Sequence, residues 1–348
     1  MNPHTKLLTT LSILLGTTIT ISSNHWLMAW TGLEINTLAI IPLIAKSHHP
    51  RAVEAAIKYF LVQATASALL LFSSMINAWS SGQWDITQMT NPTPCLLLTT
   101  AISMKLGLVP FHFWFPEVLQ GTSLTTALLL STLMKLPPLT ILFMTSHSLN
   151  TTLLMTMAIA STALGGWMGL NQTQIRKLMA FSSISHLGWM TAIILYNPKL
   201  TILTFYLYTM MTTAIFLTLN TTNTLNLMTL LVSWTKTPML NTTLMLTLLS
   251  LAGLPPLAGF LPKWLIIQEL TKQELTPTAT AIAMLSLLSM FFYLRLAYHA
   301  TITLPPNSTT HMKQWYTTNP THTHTLTAIL TSMSILLLPL SPMIQTYA

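Results

Sequence analysis

Residues 25–44 read "HWLMAWTGLEINTLAIIPLI", a stretch in which Glu34 is the one residue with a full charge. A helix of that length rises about 30 Å, the thickness of the hydrocarbon core of a bilayer. The stretch is therefore predicted to cross a membrane, which leaves a carboxylate near the middle of the span. Two questions follow: whether the rest of the chain is of the same kind, and what offsets the cost of the charge.

Composition answers the first. Of 348 residues 6% are charged and 51% are hydrophobic, and the mean hydropathy is +0.60. A soluble globular chain carries about 25% charged residues. Apolar runs long enough to span recur at 3–22, 25–45, 57–80, 94–110, 122–145, 149–170, 178–196, 199–221, 239–267, 276–299 and 324–346. The expectation is an all-α polytopic membrane protein of about eleven transmembrane helices. The connections are too short for a soluble domain. In the longest, 300–323, and just beyond it, "THTHT" has a spacing that suits a metal, but threonine alternation in a flexible loop explains it more simply. The single Cys95 excludes an intrachain disulfide framework or a cysteine metal cluster and reads as a small buried residue. A formal charge of +8 raises the question of nucleic acid, but the basic residues are scattered among loops and form no basic face. No nucleic-acid partner is expected.

The loop cations give an orientation. Assigned alternately, the N-terminal side receives Lys6, Lys46, Arg51, Lys58, Arg176, Lys177, Lys236, Arg295 and Lys313, and the opposite side Lys199 and Lys272. Such an excess marks the side from which a membrane protein is inserted. The first span begins almost at Met1 with neither an Arg-rich presequence nor a clear cleavage site, so no removable targeting segment is expected.

Three cations remain, each within or at a break in an apolar span: Lys105 in "TAISMKLGLVPFHFW", Lys135 in "LLLSTLMKLPPLTILF" and Lys263 in "LAGLPPLAGFLPKWLII". A charge at a helix centre costs about 2.5–3.5 kcal/mol on insertion scales, so with Glu34 the combined penalty is large. A lysine near a span end can snorkel to the interface instead; a glutamate reaches less far. Thr31 and Thr37 flank Glu34 at helical spacing, which predicts an inward polar stripe.

A repeat shows where the cations converge. Gly107, Leu108, Pro110 and Pro116 form G-L-x-P-x5-P, and Gly253, Leu254, Pro256 and Pro262 form it again. Each copy interrupts a span with helix breakers, and the freed backbone groups must find protein or water partners because lipid offers none. Paired interrupted spans point to the ion site of an inverted-repeat transporter. The predicted architecture is thus an inverted-repeat, antiporter-like bundle with two broken helices, repeats over about 3–145 and 149–300, and a final helix at 324–346. His186 in "FSSISHLGWM", one turn after Ser182, and His112 in "VPFHFWFPE" are candidate extensions of a proton path. A neutral core histidine and an interfacial histidine among aromatics are the alternatives. Glu117 is expected at the membrane surface.

The segments "SNHWLMAWTGLEINTLAIIPL", "AISMKLGLVPFHFWFPEVLQG", "NQTQIRKLMAFSSISHLGWM" and "LTLLSLAGLPPLAGFLPKWLIIQEL" closely resemble the antiporter-like membrane subunits of the proton-pumping NADH:ubiquinone oxidoreductase, respiratory complex I, a family related to multi-subunit sodium/proton antiporters. The resemblance runs essentially end to end. It implies two inverted five-helix repeats within a usual set of fourteen helices, of which the animal mitochondrial version lacks three at the N-terminus. Carried over, it makes Glu34 the carboxylate paired with Lys105, Lys135 the connecting lysine, His186 a bridging group and Lys263 the terminal cation of a proton relay. It further implies the mitochondrial inner membrane, with the N-terminus toward the matrix and the C-terminus toward the intermembrane space. The expected partners are other membrane-arm subunits, including further antiporter-like ones, and inner-membrane phospholipids.

No Gly-rich dinucleotide fingerprint, cysteine set for an iron–sulfur cluster or soluble domain for a flavin occurs in the sequence. No cofactor is expected in this chain; FMN, iron–sulfur clusters, NADH and ubiquinone belong to other subunits on the same resemblance. A stand-alone cation/proton antiporter and a structural scaffold of the membrane arm are the other two readings.

Overall fold

A computed structural model describes residues 3–89, 91–236, 238–302 and 324–340. Its α-helices are α1 (Pro3–Ser22), α2 (Trp26–Ile44), α3 (Pro50–Ser81), α4 (Pro92–Leu106), α5 (Trp114–Gly121), α6 (Leu124–Ser131), α7 (Leu136–Met144), α8 (Thr151–Gly169), α9 (Ile175–Ile193), α10 (Pro198–Thr222), α11 (Leu227–Lys236), α12 (Pro238–Ala252), α13 (Phe260–Lys272), α14 (Thr276–Ile302) and α15 (His324–Leu336). Seven described stretches are long and apolar enough to cross a membrane: Pro3–Ser22, Trp26–Ile44, Pro50–Ser81, Leu124–Met144, Thr151–Gly169, Pro198–Thr222 and Thr276–Tyr298. The chain is a polytopic helical membrane protein. Lys313, the first three residues of "THTHT" and the end of the 324–346 span lie outside the described residues.

Packing divides the chain into two compact units, Met1–Ser161 and Thr162–Ala348. In the first, α2 packs between α1 and α3, α3 also carries α4 and α5, and α7 lies against α1, α2 and α4. In the second, α10 packs on α9, α12, α13 and α15, while α14 lies along α9, α11, α12 and α13.

The helices are inside-out compared with those of a soluble protein. On α1 the outward residues include Leu7, Leu8, Leu11, Leu14 and Leu15, while Thr9, Gly16, Thr17 and Thr20 are buried. Lipid tails are as apolar as leucine, so helices associate through small residues that allow close approach. A methyl group at Gly16 would collide with the Asn36 amide and the Gly32 carbonyl of α2, and one at Gly32 with Thr20. Buried hydroxyls bond within their own helix, as Thr20 Oγ1 does to the Thr17 carbonyl at 2.8 Å.

Both copies of the G-L-x-P repeat are helix stops of one design. Gly107 has φ +75° and Gly253 φ +78°, conformations that only glycine adopts without strain. Around them the N–H of Leu108 donates to Ser103 O (3.0 Å) and that of Gly107 to Met104 O (3.3 Å), while Leu254 donates to Leu249 O (3.5 Å) and Gly253 to Ser250 O (2.9 Å). This is the paired six-to-one and five-to-two bonding of a Schellman cap. Pro116 and Pro262, expected as breakers, occupy instead the third helical position of α5 and α13. There an N–H has no intrahelical acceptor to lose, so both prolines begin the second half-helix.

Several spans differ from expectation. The 239–267 span is two helices, α12 and α13, and it is preceded by α11, which was read as connection. Ser233 of α11 and Asn241 of α12, both buried, exchange hydrogen bonds at 3.0 and 3.2 Å that hold this extra helix. The 122–145 span is interrupted by a single 3-10 turn, Leu133–Lys135, because Pro137 and Pro138 cannot bond back to Leu133 and Met134. On the surface, Lys58 of α3 bonds to Glu54 at 2.5 Å and to Glu117 of α5 at 2.7 Å, which leaves Glu117 exposed.

Gly16→Val is expected to lower stability by about 1–3 kcal/mol through overpacking of α1 on α2. Leu15→Val, on a side chain 61% exposed, should stay within about 0.5 kcal/mol. Thermal unfolding of the two variants in one detergent compares them directly.

Candidate functional site

In the first unit the polar side chains gather at the stop of α4. Lys105 stands in its last turn, only 5% exposed, and Lys135 in the 3-10 turn is 3% exposed. Both line one cavity, together with Asn36, Thr37, Tyr59 and Gln63. It offers about 20 Å³ to the centres of water-sized molecules, enough for an ordered water. The Lys135 ammonium lies 4.7 Å from the centroid of the Phe115 ring, a cation–π contact. The Lys105 ammonium has no hydrogen-bond partner among the described residues.

The end of α4 is satisfied by side chains. Trp114 Nε1 donates to Met104 O at 3.2 Å and Gln63 Nε2 to Lys105 O at 3.4 Å. An ammonium in the last turn of a helix also meets the negative end of its dipole.

Glu34 is half-buried near the middle of α2, and its Oε2 accepts from Thr37 Oγ1 at 3.0 Å. It makes no direct ion pair with Lys105; the ion pairs among the described residues are Lys58 with Glu54 and Glu117, and Lys272 with Glu269. The Glu34 carboxylate lies within electrostatic reach of the Lys105 ammonium. The expected stripe of Thr31, Glu34 and Thr37 holds only in part, because Thr31 is exposed. A step of three residues turns 300°, so the two threonines diverge by about 120° around the helix. The inward neighbour that the sequence reading missed is Asn36, 2% exposed, with both amide atoms unpartnered among the described residues. His112 is buried against Phe113, with ring centroids 4.2 Å apart, but does not line the lysine cavity.

In the second unit His186 and Lys263 line a cavity of similar size, with Trp189, Thr204 and Tyr208. Lys263 Nζ donates to Ala252 O at 2.8 Å and lies 5.9 Å from the Trp189 ring. Ala252 is the last residue of α12. Lys105 and Lys263 differ in register within the repeat, yet both belong to the end of a first half-helix: Lys105 stands in the last turn of α4, and Lys263 reaches back from α13 to the last residue of α12. The His186 ring stands 5.3 Å from that of Tyr208. Among the described residues, no three histidine, cysteine or acidic side chains converge as a metal would require.

The two stop glycines give a paired test. Gly107→Ala should cost about 1–2 kcal/mol from positive φ alone, since its nearest new neighbour would be Trp114 at 3.5 Å. At Gly253 the same methyl would also stand 2.9 Å from Cδ and 3.0 Å from Nζ of Lys263. Gly253→Ala should therefore cost more, and should raise the labelling of Lys263 by an amine-reactive probe, which Gly107→Ala leaves unchanged.

Comparison with known proteins gives this arrangement a family. Residues 23–289 match the family model described as NADH:quinone oxidoreductase/Mrp antiporter, TM, and residues 290–345 match NADH dehydrogenase subunit 2 C-terminus. The NADH-ubiquinone oxidoreductase chain 2 of Struthio camelus is 77% identical over 344 residues, 99% of both chains. That of Sibirionetta formosa is 76% identical over 345 residues, again 99% of both. A chain in the structure of respiratory complex I from Thermus thermophilus with bound aureothin superposes with a TM-score of 0.84 at 25% identity, over 97% of this chain and 80% of that one. The two half-helix stops with their buried lysines thus belong to a chain that is a member of the NADH:quinone oxidoreductase/Mrp antiporter transmembrane family.

Proposed function

We propose that this chain is a membrane-arm subunit of the proton-pumping NADH:ubiquinone oxidoreductase of the mitochondrial inner membrane, and that it moves protons through Glu34, Lys105, Lys135, His186 and Lys263. The observation that carries the relay is the placement of amines inside helical units made mostly of apolar and small side chains. Two lie at helix stops, one at a helix interruption, and each lines a cavity with room for water.

The chemistry follows from electrostatics. Burial disfavours the charged form of an amine, and a nearby carboxylate favours it. Changing the separation of Glu34 and Lys105 would load or release a proton on Lys135, and the altered charge would bias His186 and Lys263 in turn. Moving one charge against the membrane potential requires about 2.3 kcal/mol per 100 mV. That energy comes from electron transfer between NADH and ubiquinone in other subunits, which also hold the FMN and iron–sulfur clusters. The partners are those subunits, further antiporter-like ones among them, and membrane phospholipids. His112 is a possible branch of the path.

The membrane architecture belongs to the same proposal: about eleven spans, the N-terminus in the matrix and the C-terminus in the intermembrane space. Support for inverted repeats over about 3–145 and 149–300, followed by a final helix at 324–346, comes from matching details. The two Schellman stops and the third-position prolines are one pair. A second is an isolated antiparallel bridge in each unit, His25 with Asp85 and Gln174 with Asn226, which fastens the start of α2 or α9 to the segment after α3 or α10.

Two measurements test the proposal. On a native gel of mildly solubilised inner membranes, peptides of this chain are expected in the band that oxidises NADH; migration alone would instead favour a free-standing antiporter. In assembled complex, Lys135→Met is expected to slow proton-coupled turnover by at least about tenfold. Unchanged turnover and protons per electron would remove Lys135 from the relay.

A further inference from the structure

Each cavity contains a tyrosine for which the relay above has no role. Tyr59 of α3 lines the cavity of Lys105, and Tyr208 of α10 lines that of Lys263. Both are 2% exposed. A phenylalanine would fill the same volume without the cost of burying a hydroxyl.

The two positions correspond. The bridged residues that precede α2 and α9, His25 and Gln174, are 149 residues apart, and so are Tyr59 and Tyr208. The same offset carries Glu34 to Ser183. Tyr59 lies in the field of Glu34, and Tyr208 lies within electrostatic reach of Ser183. One turn beyond Ser183 on the same helix stands His186, whose ring packs on that of Tyr208. In both units, then, one helix (α2 or α9) bears a titratable group, the next (α3 or α10) a buried phenol, and the broken pair a lysine amine.

We propose that Tyr59 and Tyr208 are repeat-related relay residues, each passing a proton between the lysine at its helix break and the titratable group on the preceding helix, Glu34 of α2 or His186 of α9. The transfer balances without redox change. An ammonium N–H breaks as an O–H forms on the phenol oxygen, directly or through the water that the cavity accommodates. The original phenol O–H breaks as the carboxylate of Glu34, or an imidazole nitrogen of His186, takes its proton. The tyrosine ends as it began, a neutral phenol.

This inference rests on the relay reading and is tested beside it. Tyr59→Phe and Tyr208→Phe are made in intact complex, with Lys105→Met as reference, and each is assayed in sealed vesicles for NADH-driven turnover, protons per electron and the rate ratio in light against heavy water. Each Phe variant is expected to assemble, to lose about tenfold in coupled turnover and to change the isotope ratio, which a purely packing role would not move. If Lys105→Met is impaired while both Phe variants match wild type, the tyrosine inference falls and the lysine relay stands. If Lys105→Met is also silent, both fall. Should one Phe variant fail to assemble, the other decides at its own cavity; failure of both would make the hydroxyls structural and overturn the inference.

Discussion

Inside hydrocarbon, a backbone group that leaves a helix has no water to turn to, so every interruption of a spanning helix must carry its own hydrogen-bond partners. The polar architecture of this chain answers to that constraint. At the end of α4 the freed carbonyls are met by the Schellman amides, the indole of Trp114 and the amide of Gln63. At the end of α12 the Ala252 carbonyl is met by an ammonium. Lys105, in the last turn of α4, and Lys263, bonded to the end of α12, therefore stand where the backbone has negative dipole ends to offer. At α12 the break and the cation support each other directly.

Much of this was legible in the sequence because it is local. Glycine followed by Leu-x-Pro specifies a cap through φ and bonding over six residues, and the sequence contains the string twice. Buried lysines were legible for a similar reason: a cation in an apolar run is rare enough to demand explanation. Positions set by rotation or by tertiary reach were not. Thr31 looked like a neighbour of Glu34 by spacing, but successive three-residue steps rotate it away. Asn36 carries no charge and attracts no notice until α1 and α3 enclose it. That Lys263 reaches eleven residues back to the Ala252 carbonyl could not be inferred from register, which makes the two lysines look unrelated. α11 was lost because ten residues are too few to read as a span and their pattern resembles the loops around them.

The same contrast separates the two units as chemical environments. In the first, a carboxylate lies within electrostatic reach of an amine and a phenol, so charge can be redistributed among groups of opposite sign. In the second, an imidazole, a phenol and an amine share a cavity lined by no acidic side chain. Net positive charge there is held by the backbone carbonyl of Ala252 and the faces of aromatic rings, weaker and more diffuse partners than a carboxylate.

The inside-out distribution of side chains has a thermodynamic consequence. Leucines on α1 already face outward, so separating the helices within a bilayer would transfer little apolar surface into water. The large positive heat capacity that bends the stability curve of a soluble protein comes from that transfer. For this chain the curve should be comparatively flat, with no cold-denaturation limb, and its resistance to heat should depend on how tightly glycine, threonine and serine surfaces fit rather than on temperature-sensitive hydration.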